Sequence, residues 1–157
     1  MTATGLYLED LTVGDEITSA TYRLEAEEIV EFGRRYDPQP FHTDPEAADE
    51  SFFRGLAASG WHTASVTMRL VVESVPLAAG VIGAGAELEW PRPTRPGDTL
   101  RVVSTVQEIL PSRSRPDRGI VVVECRTLNQ DDELCQRMVT KLVVMRSPGS
   151  VEAPAES

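Results

Sequence analysis

From Leu24 to Tyr36 apolar residues return every three or four positions, at Ala26, Ile29, Val30 and Phe32. That spacing predicts an amphipathic helix. Its acids come early and Arg34 and Arg35 come late, the order favoured by the helix dipole. Asp37 and Gln39 each precede a proline, which pushes the backbone toward extended geometry, so the helix stops near Tyr36. A short second helix is expected at Asp44-Pro45-Glu46-Ala47-Ala48, with Asp44 as cap and Pro45 in the first turn. Gly60 to Val75 is the most apolar helical segment. Ala64, Ser65, Met68, Val71, Val72 and Val75 predict that it is largely buried, and Pro76 ends it.

The remaining patterns are those of strands. Ile17 to Tyr22 is rich in Thr and β-branched residues, Ala84 to Trp90 alternates, and Thr99 to Ile109 is a long β-branched run. Gly119 to Leu128 and Leu134 to Met145 form a hairpin pair turning at Asn129–Asp132. Pro96-Gly97 fits the centre of a type II turn, and Pro111 to Arg118 is a polar loop with three arginines. The order is strand, helix, buried helix, then about four antiparallel strands. It predicts an α+β domain with one curved sheet around one helix. At 157 residues and 41% apolar content, a single domain over residues 1–146 is expected, followed by a disordered tail at 147–157.

Charge narrows the partners. A net charge of −10 and a pI near 4.6 argue against nucleic acid or an anionic membrane surface, because phosphate binding needs a basic face. A local basic patch would still admit a small phosphorylated ligand. No segment approaches the roughly 20 apolar residues of a membrane span. Residues 1–10 lack the basic start and apolar run of a signal peptide, so a cytoplasmic protein is expected. Cys125 and Cys135 are too few for a disulfide scaffold or metal cluster, and two free thiols are expected.

The chemistry gathers in Tyr36-Asp37-Pro38-Gln39-Pro40-Phe41-His42-Thr43-Asp44 and in Ser59-Gly60-Trp61-His62, which together hold both histidines of the chain. A carboxylate and an imidazole can share one water, the imidazole taking its proton while the carboxylate orients it or returns a proton. Pro38 and Pro40 fix two φ angles between Asp37 and His42, so their separation is set locally. A turn-capping Asp and a packed His are the plain alternative, since such residues are ordinary loop chemistry. Ser59-Gly60 opens the apolar helix, where free N–H groups could hold an oxygen gaining negative charge, or Ser59 could simply cap. His62 reads more as a packing residue than as a second base. No nucleophile sits in a recognisable setting, and a metal would need more ligands than Asp37, His42 and Asp44 offer. Gly80 to Gly85 has spaced glycines but follows a helix and precedes a strand, the reverse of a dinucleotide site.

The run from Tyr36 to Asp44 resembles the signature of MaoC-like dehydratases and R-specific enoyl-CoA hydratases: Asp, three spacers ending in proline, an apolar residue, His, and an acid two further on. Ser59-Gly60 resembles that family's glycine at the start of its central helix. Arg95-Pro96-Gly97-Asp98-Thr99-Leu100 resembles its strand-entry turn. The similarity spans about residues 8–146. Two positions depart from it: Gln39 replaces the commoner Asn, and Ser59 stands where many members have His or Pro. The resemblance implies a hot-dog fold, a curved antiparallel sheet wrapped around a long central helix, paired as a homodimer or higher homo-oligomer. It implies that Asp37 and His42 activate water for addition to a trans-2-enoyl-CoA, with no cofactor and no metal, and that Gly60 with Ser59 binds the thioester oxygen. Gln39, Phe41, Trp61 and His62 are expected around the substrate. Arg92, Arg95 and the Arg113/Arg115/Arg118 loop are candidates for the CoA phosphates. A hot-dog thioesterase, for which the helix offers only Glu73, and a non-catalytic thioester-binding module are the alternatives.

Overall fold

The computed structural model describes residues 5–149. After a short 3-10 turn at Leu8–Asp10 come β1 (Glu16–Thr18), β2 (Tyr22–Arg23), α1 (Ala26–Tyr36), α2 (Pro40–Thr43), α3 (Pro45–Asp49), α4 (Gly60–Ser74), β3 (Ile82–Glu89), β4 (Thr99–Pro111), β5 (Arg118–Leu128) and β6 (Leu134–Met145). The strands form one antiparallel sheet in the order β1-β4-β5-β6-β3, with β2 also pairing to β4. Its curved body lies against α4, which contacts β4, β5 and β6. This is the α+β hot-dog arrangement. Of the expected tail at 147–157, residues 150–157 lie outside the described residues.

Strand periodicity explains the sheet. Along β5 the burial alternates at every residue, because successive side chains point to opposite faces. Its inward set, Val121, Val123 and Cys125, joins Val102 and Leu142 in one core with Val66, Leu70 and Val71 of α4. The turns follow the residues that favour them. Gly97 has φ +83°, and Asn129 Oδ1 accepts from the backbone N–H groups of Asp131 and Glu133 at 3.0 Å. Cys125 and Cys135 are buried free thiols, and burial pushes both up.

Two expectations need correction. The strand expected over Ile17–Tyr22 is split into β1 and β2. Between them Ser19 bonds β4 through both its main chain and its hydroxyl, to Val102. The buried face of α4 also differs from the apolar spacing: Ser65, Met68 and Val72 are exposed, whereas Thr63 and Thr67 are buried. Threonine can occupy the interior here because its hydroxyl is satisfied. Thr67 donates to Thr63 O at 2.8 Å, contacts Thr127 Oγ1 at 2.6 Å and accepts from Gln136 Nε2 at 3.2 Å. The helix turns this polar seam inward and leaves Trp61, Met68 and Val72 outside.

Candidate active site

The site starts where α1 ends. Asp37 is the C-cap residue, its N–H donating to Gly33 O at 2.9 Å. The chain then doubles back. Gln39 is extended, as expected of a residue before proline, and Pro40 opens α2, so Phe41 and His42 lie on a helical turn. Proline suits that position because its φ is already helical and the missing N–H would have had no partner. Gly33 permits the return: a Cβ there would stand 2.9 Å from His42 O and 3.0 Å from His42 Cβ.

This fold brings Asp37 Oδ2 to 3.2 Å from His42 Nε2. The imidazole is buried, and its Nδ1 lies 2.6 Å from the carbonyl oxygen of Ala57. A carbonyl can only accept, so Nδ1 carries a proton, and whenever the ring is neutral its lone pair lies on Nε2, the nitrogen facing Asp37. Burial works to raise the Asp37 carboxyl. Hydrogen bonds from Gln39 and Ser59, with the charge of His42, more than offset this and hold it below the usual carboxylate value. Gln39 Nε2 is 2.5 Å from Asp37 Oδ1.

Ser59 is the N-cap of α4, its Oγ accepting from Trp61 N–H at 3.3 Å. It therefore serves both the helix end and the Asp37 carboxylate. Gly60 follows, with the indole of Trp90 packed on its α-carbon. His42 and Gly60 share a cleft of about 550 Å³ whose walls include Phe53, Thr63, Trp90 and Arg95. Thr63 Oγ1 donates to Thr94 Oγ1 at 3.0 Å on that wall.

Asp37, Gln39, His42, Ser59 and Gly60 thus converge, whereas Phe41, Trp61 and His62 take other places. Phe41 packs against the core beside Phe53 and the His42 ring. Trp61 is 59% exposed and meets Trp90 edge-on. His62 is buried in a stack on Phe32, with centroids 4.6 Å apart, and lines a separate hollow with Glu28 and Tyr36. Its Nδ1 has no hydrogen-bond partner among the described residues, and burial lowers its pKa, partly countered by Glu28.

Sequence reasoning missed Phe53 and the Ala57 carbonyl, both from the segment between α3 and α4, and Trp90, which follows β3. The unexplained pair Phe52-Phe53, just ahead of the helix, was the available signal. Arg92 and Arg95 lie on the wall of the cleft and have partners within the chain. Arg92 pairs with Glu133, Arg118 pairs with Asp117, and Arg95 donates to the carbonyls of Phe53, Gly55 and Leu56. Among the described residues no three His, Cys, Asp or Glu side chains group closely enough to hold a metal ion.

Known proteins share this architecture. The MaoC-like domain family matches residues 10–127. A MaoC-like dehydratase of known structure from Rhodospirillum rubrum is 60% identical, with a TM-score of 0.90 over 92% of this chain and 99% of that one. An (R)-hydratase from A. caviae, involved in PHA biosynthesis, is 25% identical, with a TM-score of 0.69 over 88% of this chain and 99% of its own. A UPF0336 protein of Streptomyces avermitilis is 30% identical over 129 residues, covering 78% of this chain and 84% of that protein. With more than half its length matched, the chain belongs to the MaoC-like domain family.

Proposed function

We propose that the protein is a hydro-lyase adding water reversibly across the double bond of a trans-2-enoyl-CoA, and in reverse dehydrating the (R)-3-hydroxyacyl-CoA. Family membership and the likeness to an (R)-hydratase support hydratase or dehydratase chemistry in general. The observation that carries the finer reading is the 3.2 Å approach of Asp37 Oδ2 to His42 Nε2, with His42 lining a cleft that also reaches Gly60.

In this reading a water beside both groups is polarised by the carboxylate and gives a proton to Nε2 as its oxygen bonds to C3. The C2–C3 π electrons move onto the thioester, and the oxygen gaining charge is held by the N–H of Gly60, with the positive end of α4 behind it. C2 then takes a proton from the same acid/base pair. Water has added, and no electrons enter or leave, so the reaction needs no cofactor. The protein works on a soluble thioester in the cytoplasm, as one domain over residues 1–146. Among the described residues no helix is long and apolar enough to cross a membrane.

A thioesterase using Glu73 is disfavoured. Glu73 lies 13 residues beyond Gly60 on α4, about 20 Å along the axis, and is paired to Arg69 at 2.9 Å. The test is a direct assay on enoyl-CoAs of several chain lengths. Loss of enoyl absorbance supports the hydro-lyase, release of free thiol would point to a thioesterase, and neither to a binding module.

A homodimer is part of the proposal. β3 is an edge strand with open main-chain groups, and α4 exposes Trp61, Met68 and Val72 along one stripe. Light scattering on Met68→Lys/Val72→Glu should show monomers where the wild-type chain shows dimers. Wild-type monomers would remove this part.

A further inference from the structure

We infer that Arg95 is a positioning residue for His42: its guanidinium shapes the loop at residues 53–56 so that the next carbonyl, that of Ala57, fixes the imidazole tautomer. The inference rests on the reading of His42 as the base.

The loop adopts a conformation it would not hold unaided. Arg54 has φ +52° and Gly55 φ +146°, both in the left-handed half of the map. Its N–H groups are used locally, Phe53 on Ser51 Oγ, Arg54 on Ser51 O and Gly55 on Ala48 O. Three of its four carbonyls share one partner. Nη1 of Arg95 donates to Gly55 O at 3.0 Å and Leu56 O at 3.3 Å, and Nη2 donates to Phe53 O. A planar guanidinium with several fixed donors can span three carbonyls, which a lysine ammonium on a flexible stem cannot match.

Arg95 is itself held. Its N–H donates to Asp98 Oδ2 at 2.8 Å within the Pro96-Gly97 turn. The preceding residue, Thr94, accepts from Ala58 N–H at 2.9 Å. Ala57 is therefore gripped on both sides, by the Arg95 side chain through Leu56 and by the Thr94 main chain through Ala58. From that position it faces α2 twice, donating its N–H to Phe41 O at 3.1 Å and accepting from His42 Nδ1 at 2.6 Å. The second bond places the His42 lone pair on the side of Asp37. Removing the guanidinium takes away one of the two grips on the carbonyl that sets this, although no atom of Arg95 touches the imidazole bond itself.

The chain has only two histidines, so a spectrum of 15N-histidine-labelled protein reads each ring separately. In wild-type protein with neutral imidazoles, His42 should be in the single Nδ1–H form. In Arg95→Gln it should become a mixture of Nδ1–H and Nε2–H forms while the His62 signals stay in place. Turnover should fall about tenfold to a hundredfold, the usual effect of losing an orienting partner of a working histidine, mainly in kcat. Arg95→Lys keeps the charge and should show the same change in part. Should Arg95→Gln not fold, the Lys spectrum decides in the same way. A wild-type His42 spectrum in the folded variants overturns the inference. A shifted tautomer with unchanged kcat keeps the role of Arg95 and removes His42 from the chemistry. Wild-type protein that hydrates no enoyl thioester removes the hydro-lyase reading, while the spectrum still decides the inference.

Discussion

A methyl group on Gly60 would stand 2.7 Å from Cε2 of the Trp90 indole and 2.9 Å from its Cδ2 and Cζ2. The indole cannot easily give way, because its Nε1 donates to Gln136 Oε1 at 2.9 Å and Gln136 is fully buried. Gly60→Ala should therefore overpack the start of α4 and destabilise by about 1–3 kcal/mol. Urea unfolding checks this, and adding Trp90→Leu should restore most of the loss. A fully stable single variant would mean that the indole moves freely.

Asp37→Asn and His42→Ala should each lower kcat by roughly 10²–10⁴, the range for losing a positioned acid or base, with the circular dichroism spectrum unchanged. Near-wild-type turnover in either variant would refute the proposed roles.

Burial depresses the His62 pKa, with Glu28 opposing, so the folded state favours the neutral ring. Above the unfolded value near 6.5 both states are neutral and this contribution is fully present. As the pH falls below it the unfolded chain takes up a proton that the folded chain resists, and stability declines. Asp37, also depressed, costs stability only at lower pH, below the ordinary carboxylate value. Melting temperatures between pH 7 and pH 5 should fall for the wild type and flatten in His62→Phe, which keeps an aromatic ring against Phe32. An equal slope in both proteins would assign the effect to other groups.

The hydroxyl of Thr67 serves Thr63 O, Thr127 and the buried amide of Gln136. Thr67→Val strands that amide, at a cost of about 1–3 kcal/mol. Thr67→Val combined with Gln136→Leu should cost less than the two single changes summed, since both belong to one network. Strict additivity in denaturant melts would argue against coupling.

Much of this was legible along the chain. The three-and-four spacing of α1, the alternation of β5 and β6, the Asp44 cap and the Pro96-Gly97 turn are local patterns, and local sterics and hydrogen bonding suffice to read them. The candidate pair was legible for the same reason, because Asp37 and His42 are five residues apart with two prolines between. What hydrophobic spacing could not convey was the inward face of α4. Thr63 and Thr67 count as polar until Thr94 from the β3–β4 loop, Thr127 from β5 and Gln136 from β6 arrive to satisfy their hydroxyls.

The sequence by itself determined the element types, the turn positions and the presence of a carboxylate and an imidazole close along the chain. Only the tertiary structure decided how His42 is protonated, which aromatic rings wall its cleft and what Arg95 does. Each of these depends on a partner distant along the chain, such as Ala57 O, 15 residues from His42, and Phe53 O, 42 residues from Arg95. A hydrogen bond has no periodicity to betray it along the chain; it exists only once folding brings donor and acceptor within about 3 Å.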